Sequence, residues 1–229
     1  FTEKSTIKLL KKTKANAFVV TKGSEGISVF FKKGNKMDIP QTDVYVYDVT
    51  GAGDTFIALL SYLLSNEIDL INSIKISSFA CGKIVQKKHT AVLSFIEFQK
   101  IIEEFCENEW KEKLTPEQYH VCINCGTEPA FNNKYWDCKE PGTYHCVCCE
   151  IPLFSSKAKF DSGTGWPSFS EALPGAFKTK IDYSFGMKRI EYHCANCGAH
   201  HGHVFLDGPT VTGKRFCSNG LCLIFVPEN

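Results

Sequence analysis

The second half of the chain is organised around one stretch, residues 198–219, which reads GAHHGHVFLDGPTVTGKRFCSN. Glycine and proline recur at short intervals in it, and between them stand short runs of aromatic and β-branched residues such as residues 203–205. Strands bounded by turns have this composition, and no long helical period is present. Because the same alternation continues through residues 114–229, we predict an all-β domain there.

A reactive-thiol setting lies within this stretch. Cys217 stands two residues after Arg215, and a nearby cation favours the thiolate that acts as the nucleophile. His200 and His203 titrate near neutral pH and can protonate a leaving oxygen. Any one of these residues alone is more often structural, as an inert buried cysteine or a packed histidine. Their joint occurrence indicates sulfur redox chemistry.

The cysteines divide the chain into two parts. All but two of the twelve cysteines, Cys81 and Cys106, follow residue 120, whereas the first hundred residues are rich in Ile, Val, Phe and Lys. We therefore predict a first domain, a linker and a second domain over residues 1–107, 108–113 and 114–229. Thr115 and Pro116 are expected to cap and begin a helix at the start of the second domain.

Paired cysteines in a reducing compartment are typical of metal sites or redox centres rather than disulfides. The CxxC pairs of the second half are Cys122/Cys125, Cys146/Cys149 and Cys194/Cys197. Spacing leaves their grouping open, and Cys138, Cys148 and Cys222 are also available. Cys122/Cys125 and Cys146/Cys149 have nearly the separation in sequence of the two cysteine pairs of a zinc ribbon. Spacing alone therefore favours grouping these two pairs over grouping Cys146/Cys149 with Cys194/Cys197.

Charge and hydropathy bear on the partners. The formal net charge is +1, with both signs interspersed, which gives no argument for binding nucleic acid or an anionic membrane. No signal segment opens the sequence, and no apolar run has the roughly 18 to 20 residues that span a bilayer. We expect a soluble, cytoplasmic protein without nucleic-acid or membrane partners.

The first half contains a glycine turn before an apolar helix. Residues 17–20 and 27–31 predict two strands joined by a turn, and residues 44–49 predict another strand. Gly51, Ala52 and Gly53 follow, then Asp54 and a helix over residues 57–64. Backbone N–H groups at a helix N-terminus bind anions, and a carboxylate beside them can accept a proton from an attacking hydroxyl. An ordinary strand-to-helix turn fits the spacing equally well.

Residues 48–55 together with residues 21–26 resemble the PfkB (ribokinase-like) sugar kinases, particularly the heptose-phosphate kinases. The resemblance implies a partial α/β, Rossmann-type fragment in which Asp54 is the catalytic base and Gly51, Ala52 and Gly53 form the anion hole. It covers roughly the last third of such a kinase, with His89 where heptose kinases usually have glycine. We expect the fragment to use ATP and Mg²⁺ only if upstream chain completes the kinase domain.

The second half resembles methionine sulfoxide reductase B over essentially all of residues 114–229, most specifically in residues 159–169 and the segments that carry the histidines and Cys217. The resemblance implies a peptide-methionine (R)-S-oxide reductase that forms a sulfenic acid on Cys217. It also implies regeneration by thioredoxin or another thiol, and methionine-sulfoxide-containing proteins or peptides as substrates.

Residue roles follow from the same resemblance. It implies a structural zinc ion on Cys146, Cys149, Cys194 and Cys197. His200 and His203 are the expected proton donors, and Arg215 is the charge partner of the thiolate. The expected orienting groups are Asp207 and Asn219, and the expected substrate contacts are Trp166 and Phe205.

The chain departs from this family pattern at three positions. His201 replaces a leucine, Gly220 replaces a common serine, and Thr164 stands where many relatives carry the resolving cysteine. The sulfenic acid is therefore resolved differently, either by an external thiol or by one of the candidates Cys122, Cys125, Cys138 and Cys222. Cys122 and Cys125 are equally consistent with a second, partial metal site.

Two other functions remain open at this point. A zinc-binding interaction module without chemistry would tolerate replacement of Cys217. A working sugar kinase with a redox appendage would lose ATP-dependent phosphorylation on replacement of Asp54.

Overall fold

The computed structural model of the protein describes residues 3–41, 45–87 and 93–228. The chain divides into two compact units, Phe1–Glu107 (unit 1) and Asn108–Asn229 (unit 2). His89 lies outside the described residues, so the expectation at that position has no structural counterpart. Within the described ranges, no helix has both the length and the apolar character needed to cross a membrane.

Unit 1 is an α/β unit, as the sequence predicts. Its elements are α1 Glu3–Lys12, β1 Ala17–Thr21, β2 Ile27–Phe31, β3 Lys36–Ile39, α2 Ala52–Ser65, α3 Leu70–Ile84 and most of α4 Phe95–Lys113. The three strands form an antiparallel sheet in the order β1-β2-β3. Val29 of the sheet packs with Phe56 of α2 and Ile74 of α3, so two helices cover one core.

One local prediction in unit 1 needs correction, and the predicted linker is helical. The strand predicted over residues 44–49 is wrong for residues 45–49, which are irregular. The N–H groups of Tyr47 and Asp48 both donate to the carbonyl of Val85, at 2.7 and 3.1 Å, a shared acceptor that a strand ladder does not have. The predicted linker, residues 108–113, continues α4, because its Glu, Lys and Trp residues include no helix breaker.

Unit 2 is predominantly β, which confirms the predicted class. A short helix, α5 Pro116–Cys122, begins with the predicted cap: the Thr115 hydroxyl accepts from the Gln118 N–H at 3.2 Å. The strands are β4 Gly142–Cys146, β5 Pro152–Ser155, β6 Lys159–Phe160, β7 Ser168–Phe169, β8 Phe177–Asp182, β9 Arg189–Cys194, β10 His200–Phe205, β11 Arg215–Ser218 and β12 Leu223–Pro227.

Two antiparallel sheets enclose the core of unit 2. One has six strands in the order β6-β7-β11-β10-β9-β8, and the other has three in the order β12-β4-β5. Tyr144 and Phe154 of the small sheet meet Phe169 and Tyr192 of the large sheet, and all four are 0% exposed. The rings of Phe154 and Phe169 stack with centroids 4.0 Å apart. The large sheet therefore has one face in the core and leaves its other face for a site.

Candidate active site

The strand register brings the thiol and the histidine together. Cys217 on β11 lies opposite His203 on β10 and Ser168 on β7, and His203 lies opposite Glu191 on β9. Residues paired directly across antiparallel strands project on the same face of a sheet. Phe216, the neighbour of Cys217, packs into the core. Because side chains alternate along a strand, Cys217, His203 and Glu191 share the face directed away from the core.

A glycine allows β10 and β11 to approach closely at this point. A Cβ atom added to Gly202 would lie 1.9 Å from the carbonyl oxygen of Cys217, a separation that no side chain tolerates. Gly202 pairs with Ser218, the residue after the thiol. Because Gly202 has no side chain, the backbone of β11 at Cys217 can lie this close to β10.

The Cys217 thiol experiences opposing influences. Burial raises its pKa, and the Arg215 guanidinium and the Thr164 hydroxyl lower the pKa without compensating fully. Arg215 lowers the pKa of Cys217, as the sequence predicts, but the increase in the pKa that burial causes is larger. Arg215 is itself anchored, since its Nε and one terminal nitrogen donate to the two carboxylate oxygens of Asp207 at 2.8 and 2.9 Å. The Phe205 ring lies 4.4 Å from its Cζ atom.

His203 is fixed by a carboxylate from β8. Its Nε2 atom lies 2.8 Å from Oδ2 of Asp182, which also accepts a hydrogen bond from Arg189 at 2.6 Å. Hydrogen bonds from Ser184 foremost, and from His203 and Arg189, hold the pKa of Asp182 below its usual range. Asp182 therefore remains an acceptor at neutral pH, and the His203 ring is oriented with its Nε2–H directed at that carboxylate.

His200 has a partner of the same kind but deeper in the protein. Its Nδ1 atom lies 2.7 Å from Oε1 of Glu191, and Lys180 lies 3.1 Å from the other carboxylate oxygen. Burial lowers the pKa of His200, and the neighbouring Glu191 only partly offsets it. A neutral ring that donates from Nδ1 has its lone pair on Nε2, which has no hydrogen-bond partner in the described part of the chain. The Nε2 atom of His200 is therefore suited to accept a proton or a hydrogen bond rather than to donate one.

Asn219 and Glu128 hold the loop after Cys217. The Asn219 side chain donates to the His201 carbonyl at 3.1 Å and accepts from the Glu128 N–H at 3.1 Å. The Glu128 carboxylate accepts from the N–H groups of Gly220 and Leu221, while burial raises its pKa. The Glu128 carbonyl accepts from the indole N–H of Trp166 at 3.0 Å, so this half-buried ring has a fixed orientation.

Two of the three departures from the family pattern, Gly220 and His201, are accommodated in different ways. A Cβ atom at Gly220 would lie 2.1 Å from the Lys134 carbonyl oxygen, so glycine fits the local chain path. His201 is 0% exposed, lies against Phe177 with ring centroids 5.3 Å apart, and has no partner for either ring nitrogen within the described ranges. Burial lowers the pKa of His201 to about 3. His201 is therefore a neutral core residue and does not point into the Cys217 site.

Four cysteines form a cluster that could hold a metal ion: Cys146, Cys149, Cys194 and Cys197, hereafter the four-cysteine cluster. The sulfur atoms of Cys146 and Cys197 are 3.7 Å apart, and those of Cys149 and Cys194 are 3.5 Å apart. A tetrahedral zinc site with bonds of about 2.3 Å separates its sulfur atoms by about 3.8 Å. The donor set and the spacing fit such a site, so the grouping favoured by spacing alone, Cys122/Cys125 with Cys146/Cys149, is wrong.

The remaining cysteines of unit 2 have different surroundings. The sulfur atoms of Cys122 and Cys222 lie 3.3 Å apart, and these residues are 2% and 0% exposed. Cys125 is exposed, and its sulfur atom lies 3.7 Å from Oε1 of Glu191. Cys138 is partly buried. The CxxC pair Cys122/Cys125 therefore faces two environments and does not act as one chelating pair.

Several residues of the site were missed at the level of sequence, namely Asp182, Glu191, Glu128 and Ser168. Asp182 and Glu191 precede His203 by 21 and 12 residues, and strand pairing brings them to it. A single acidic residue in a strand has no sequence signature of its own. An alternation of polar residues on β8 and β9 was available as a signal, but it does not specify the register.

In unit 1 the glycine turn lies where it was predicted. Gly51, with φ of 79°, caps α2, and Asp54 is in its first turn. A pocket of about 310 Å³ beside it is lined by Gly53, Phe56, Cys81 and the turn residues after β1, among others. The Ala52 N–H donates to the Val49 carbonyl at 3.1 Å, so one of the three expected anion-binding groups is already engaged.

A cysteine and a histidine on one face of an antiparallel sheet, together with a separate four-cysteine cluster that could hold a metal ion, are features of a thiol-dependent enzyme. Residues 114–227 match the family model described as SelR domain, and residues 1–96 match the pfkB family of carbohydrate kinases. The chain belongs to the methionine sulfoxide reductase B family, with a pfkB-type segment before that domain.

Two relatives illustrate the similarity of unit 2. Peptide methionine sulfoxide reductase MsrB of Pseudomonas fluorescens is 56% identical over 121 residues, which are 52% of this chain and 93% of that protein. The chloroplastic peptide methionine sulfoxide reductase B1 of Arabidopsis thaliana is 57% identical over 118 residues, 51% of this chain and 58% of that protein. The chain thus spans little more than half the length of the plant relative.

For unit 1, a similar solved structure is ribokinase from Thermotoga maritima, with 21% sequence identity and a TM-score of 0.40. The match covers 44% of this chain and 34% of that structure, so the chain spans about a third of a ribokinase.

Proposed function

We propose that unit 2 reduces the R epimer of methionine sulfoxide in peptides and that Cys217 receives the oxygen. The observation that carries the proposal is the position of Cys217 opposite His203 on the outer face of the large sheet. The likeness of unit 2 to named methionine sulfoxide reductases, 56% and 57% identity over 121 and 118 residues, supports the same activity.

The reaction requires a nucleophile and a proton. The Cys217 sulfur attacks the sulfoxide sulfur while the oxygen is protonated, and oxygen transfer leaves methionine and a sulfenic acid on Cys217. Because burial keeps the Cys217 pKa high, the thiol itself carries the required proton at neutral pH. His203, next to the thiol and held by Asp182, moves this proton to the oxygen. Arg215 stabilises the transient thiolate.

Regeneration uses an external thiol such as thioredoxin. One thiol attacks the sulfenic acid to release water and form a mixed disulfide, and a second thiol releases Cys217. Burial of Cys122 and Cys222 disfavours them as resolving thiols. Thr164, whose hydroxyl bonds to Cys217, supplies no sulfur at that position.

The four-cysteine cluster holds a structural zinc ion in this proposal. Cys146 and Cys149 flank the end of β4, and Cys194 and Cys197 flank the end of β9, so the ligands come from both sheets. Zinc bound by four thiolates has no open position and supplies crosslinking rather than catalysis.

The test is reduction of R- and S-methionine sulfoxide peptides with dithiothreitol as the electron donor. We expect turnover of the R epimer alone, and loss of turnover to background in Cys217→Ser with metal content unchanged. Cys106→Ser, which removes an exposed thiol of unit 1, is the matched control and should keep wild-type turnover. A Cys217→Ser protein as active as wild type would contradict the assignment of Cys217 as the nucleophile. No turnover by folded, metal-loaded wild type would contradict the proposed activity and favour a metal-binding interaction module.

A further inference from the structure

We propose that Cys125, Glu191 and His200 form a second metal site, which binds a divalent transition ion such as zinc and thereby inhibits the enzyme. One donor atom from each residue lies within 4.8 Å of the other two. Binding is argued from this geometry alone, whereas inhibition rests on the proposed reductase function.

The donor spacing is close to that of a bound ion. The Cys125 sulfur lies 3.7 Å from Oε1 of Glu191, and that oxygen lies 2.7 Å from Nδ1 of His200. With zinc bonds of about 2.3 Å to sulfur and about 2.0 Å to nitrogen and oxygen, a tetrahedral ion separates the same pairs by about 3.5 and 3.3 Å. Opening the His200–Glu191 contact by roughly half an ångström admits the ion.

The chemistry of the three donors is also suitable. One thiolate, one carboxylate and one imidazole, with a fourth position open to water, are a recognised ligand type for zinc. Glu191 and His200 are 5% and 3% exposed, so their positions are fixed before binding. Cys125 is exposed, so an ion from solvent can reach the cluster.

Cys125 is held at the site by its loop. The Gly126 N–H donates to the His120 carbonyl at 3.0 Å, and a Cβ atom at Gly126 would lie 2.4 Å from the His120 ring. The loop therefore packs tightly on α5. Cys122, on that helix, turns inward to Cys222, so Cys125 is free to bind with Glu191 and His200 instead.

One cation competes with the metal ion. Lys180 lies 3.1 Å from Oε2 of Glu191, the oxygen that the ion does not use, and its side chain is 56% exposed. Lys180 can swing into solvent when the ion binds, because the ion then supplies the positive charge that the buried Glu191 carboxylate requires. For a metal ion to bind Nδ1 of His200, the ring proton must move from Nδ1 to Nε2, which gives Nδ1 a lone pair. Binding then breaks the hydrogen bond to Glu191 and shifts a ring of the Cys217 site. Inhibition follows from this displacement.

Binding is tested with cobalt on full-length protein whose four-cysteine cluster already carries one equivalent of zinc. We expect one further equivalent of Co²⁺ to bind with a near-ultraviolet sulfur-to-metal absorption typical of a single thiolate. Cys125→Ser should abolish this absorption and Glu191→Gln should weaken binding roughly tenfold or more. Cys106→Ser should leave it intact. The same absorption in Cys125→Ser, or no second equivalent in wild type, would overturn the proposal.

Inhibition is tested in the same proteins by adding Zn²⁺ to the reductase assay with a phosphine reductant, which avoids thiol chelators. The rate of each protein with added Zn²⁺ is compared with the rate of the same protein without added Zn²⁺. The zinc concentration for half-inhibition should rise at least about tenfold in Cys125→Ser relative to wild type. Equal inhibition of both proteins would refute the regulatory part, while an inactive wild type with intact cobalt binding would refute the proposed function alone.

Discussion

At the scale of single residues, the Cys217 site depends on where charge is buried. Burial raises the pKa of Cys217 and lowers the pKa of His200, so both groups are neutral at rest. Asp182 stays ionised, because several donors converge on it. The site therefore contains ionised carboxylates beside the histidines, Asp182 and Glu191, and a positive charge, Arg215, beside the thiol. Such an arrangement favours charge separation during oxygen transfer rather than before it.

His201 is the residue through which acid pH should lower the stability of the fold most clearly. Burial lowers its folded-state pKa to about 3 from an ordinary value of 6.5. As the pH falls, the His201 ring therefore binds a proton in the unfolded chain before it does so in the folded chain. The free energy of unfolding keeps its full value above pH 6.5 and decreases as the pH falls towards 3. Between pH 8 and pH 5 the loss is about 2 kcal/mol.

His201→Leu should remove this pH dependence. Urea unfolding of both proteins at pH 8 and pH 5 measures it, and the drop in the free energy of unfolding should be about 2 kcal/mol smaller in the variant. Any acid-induced loss of metal affects both proteins and cancels in the comparison. His145→Leu, at a partly buried position of β4, is the control and should retain the wild-type dependence. Identical drops in His201→Leu and wild type would show that His201 is not buried as described.

At the scale of elements, the pairing of β10 with β11 determines the site. The sequence predicts strands in this region, and the structure confirms them at residues 200–205 and 215–218. The register was not predictable, because a polar strand of alternating residues permits several alignments. For the same reason Glu191 and Asp182 were not selected as site residues, although His200 and His203 were.

Gly202→Ala tests the close approach of these two strands. The added Cβ atom would lie 1.9 Å from the Cys217 carbonyl oxygen, so β11 must shift. We expect a loss of stability of about 2 kcal/mol or more and at least a tenfold lower kcat/KM. Thermal unfolding and steady-state assays measure the two effects.

Gly213→Ala is the matched control in the same hairpin. Its φ is 64° and an added Cβ atom meets nothing within 4 Å, so only backbone strain of about 1 kcal/mol is expected, with kcat/KM nearly unchanged. Equal effects of the two substitutions on kcat/KM would mean that the β10–β11 approach does not position Cys217.

At the scale of the whole molecule, the four-cysteine cluster connects the two sheets of unit 2. Spacing of cysteines did not identify its members, because the packing of the two sheets decides which of the CxxC pairs meet. The resemblance to a known family did identify them, since a family pattern contains the folded arrangement. In unit 1, by contrast, the predicted glycine turn before α2 and the strands β1 and β2 were local features and required no long-range information. The strand predicted directly before that turn did not form over residues 45–49.

Cys149→Ala should uncouple the sheets. Removing one of four thiolates weakens metal binding strongly, and metal binding in such sites contributes directly to folding. We expect sub-stoichiometric zinc by mass spectrometry and a melting temperature lower by roughly 10 °C or more. Cys138→Ala, a partly buried cysteine outside the cluster, should keep a full complement of metal. Stoichiometric zinc and an unchanged melting temperature in Cys149→Ala would exclude the cluster as the structural site.

The most direct measurement is a single turnover without reductant. Zinc-loaded protein is mixed with an R-methionine sulfoxide peptide and dimedone, which traps sulfenic acids, and released methionine is quantified beside the modified peptides. The proposed function predicts about one methionine per chain and a dimedone adduct on Cys217, with neither product from the S epimer. Absence of methionine, or an adduct confined to another cysteine, would contradict the assignment of Cys217 as the oxygen acceptor.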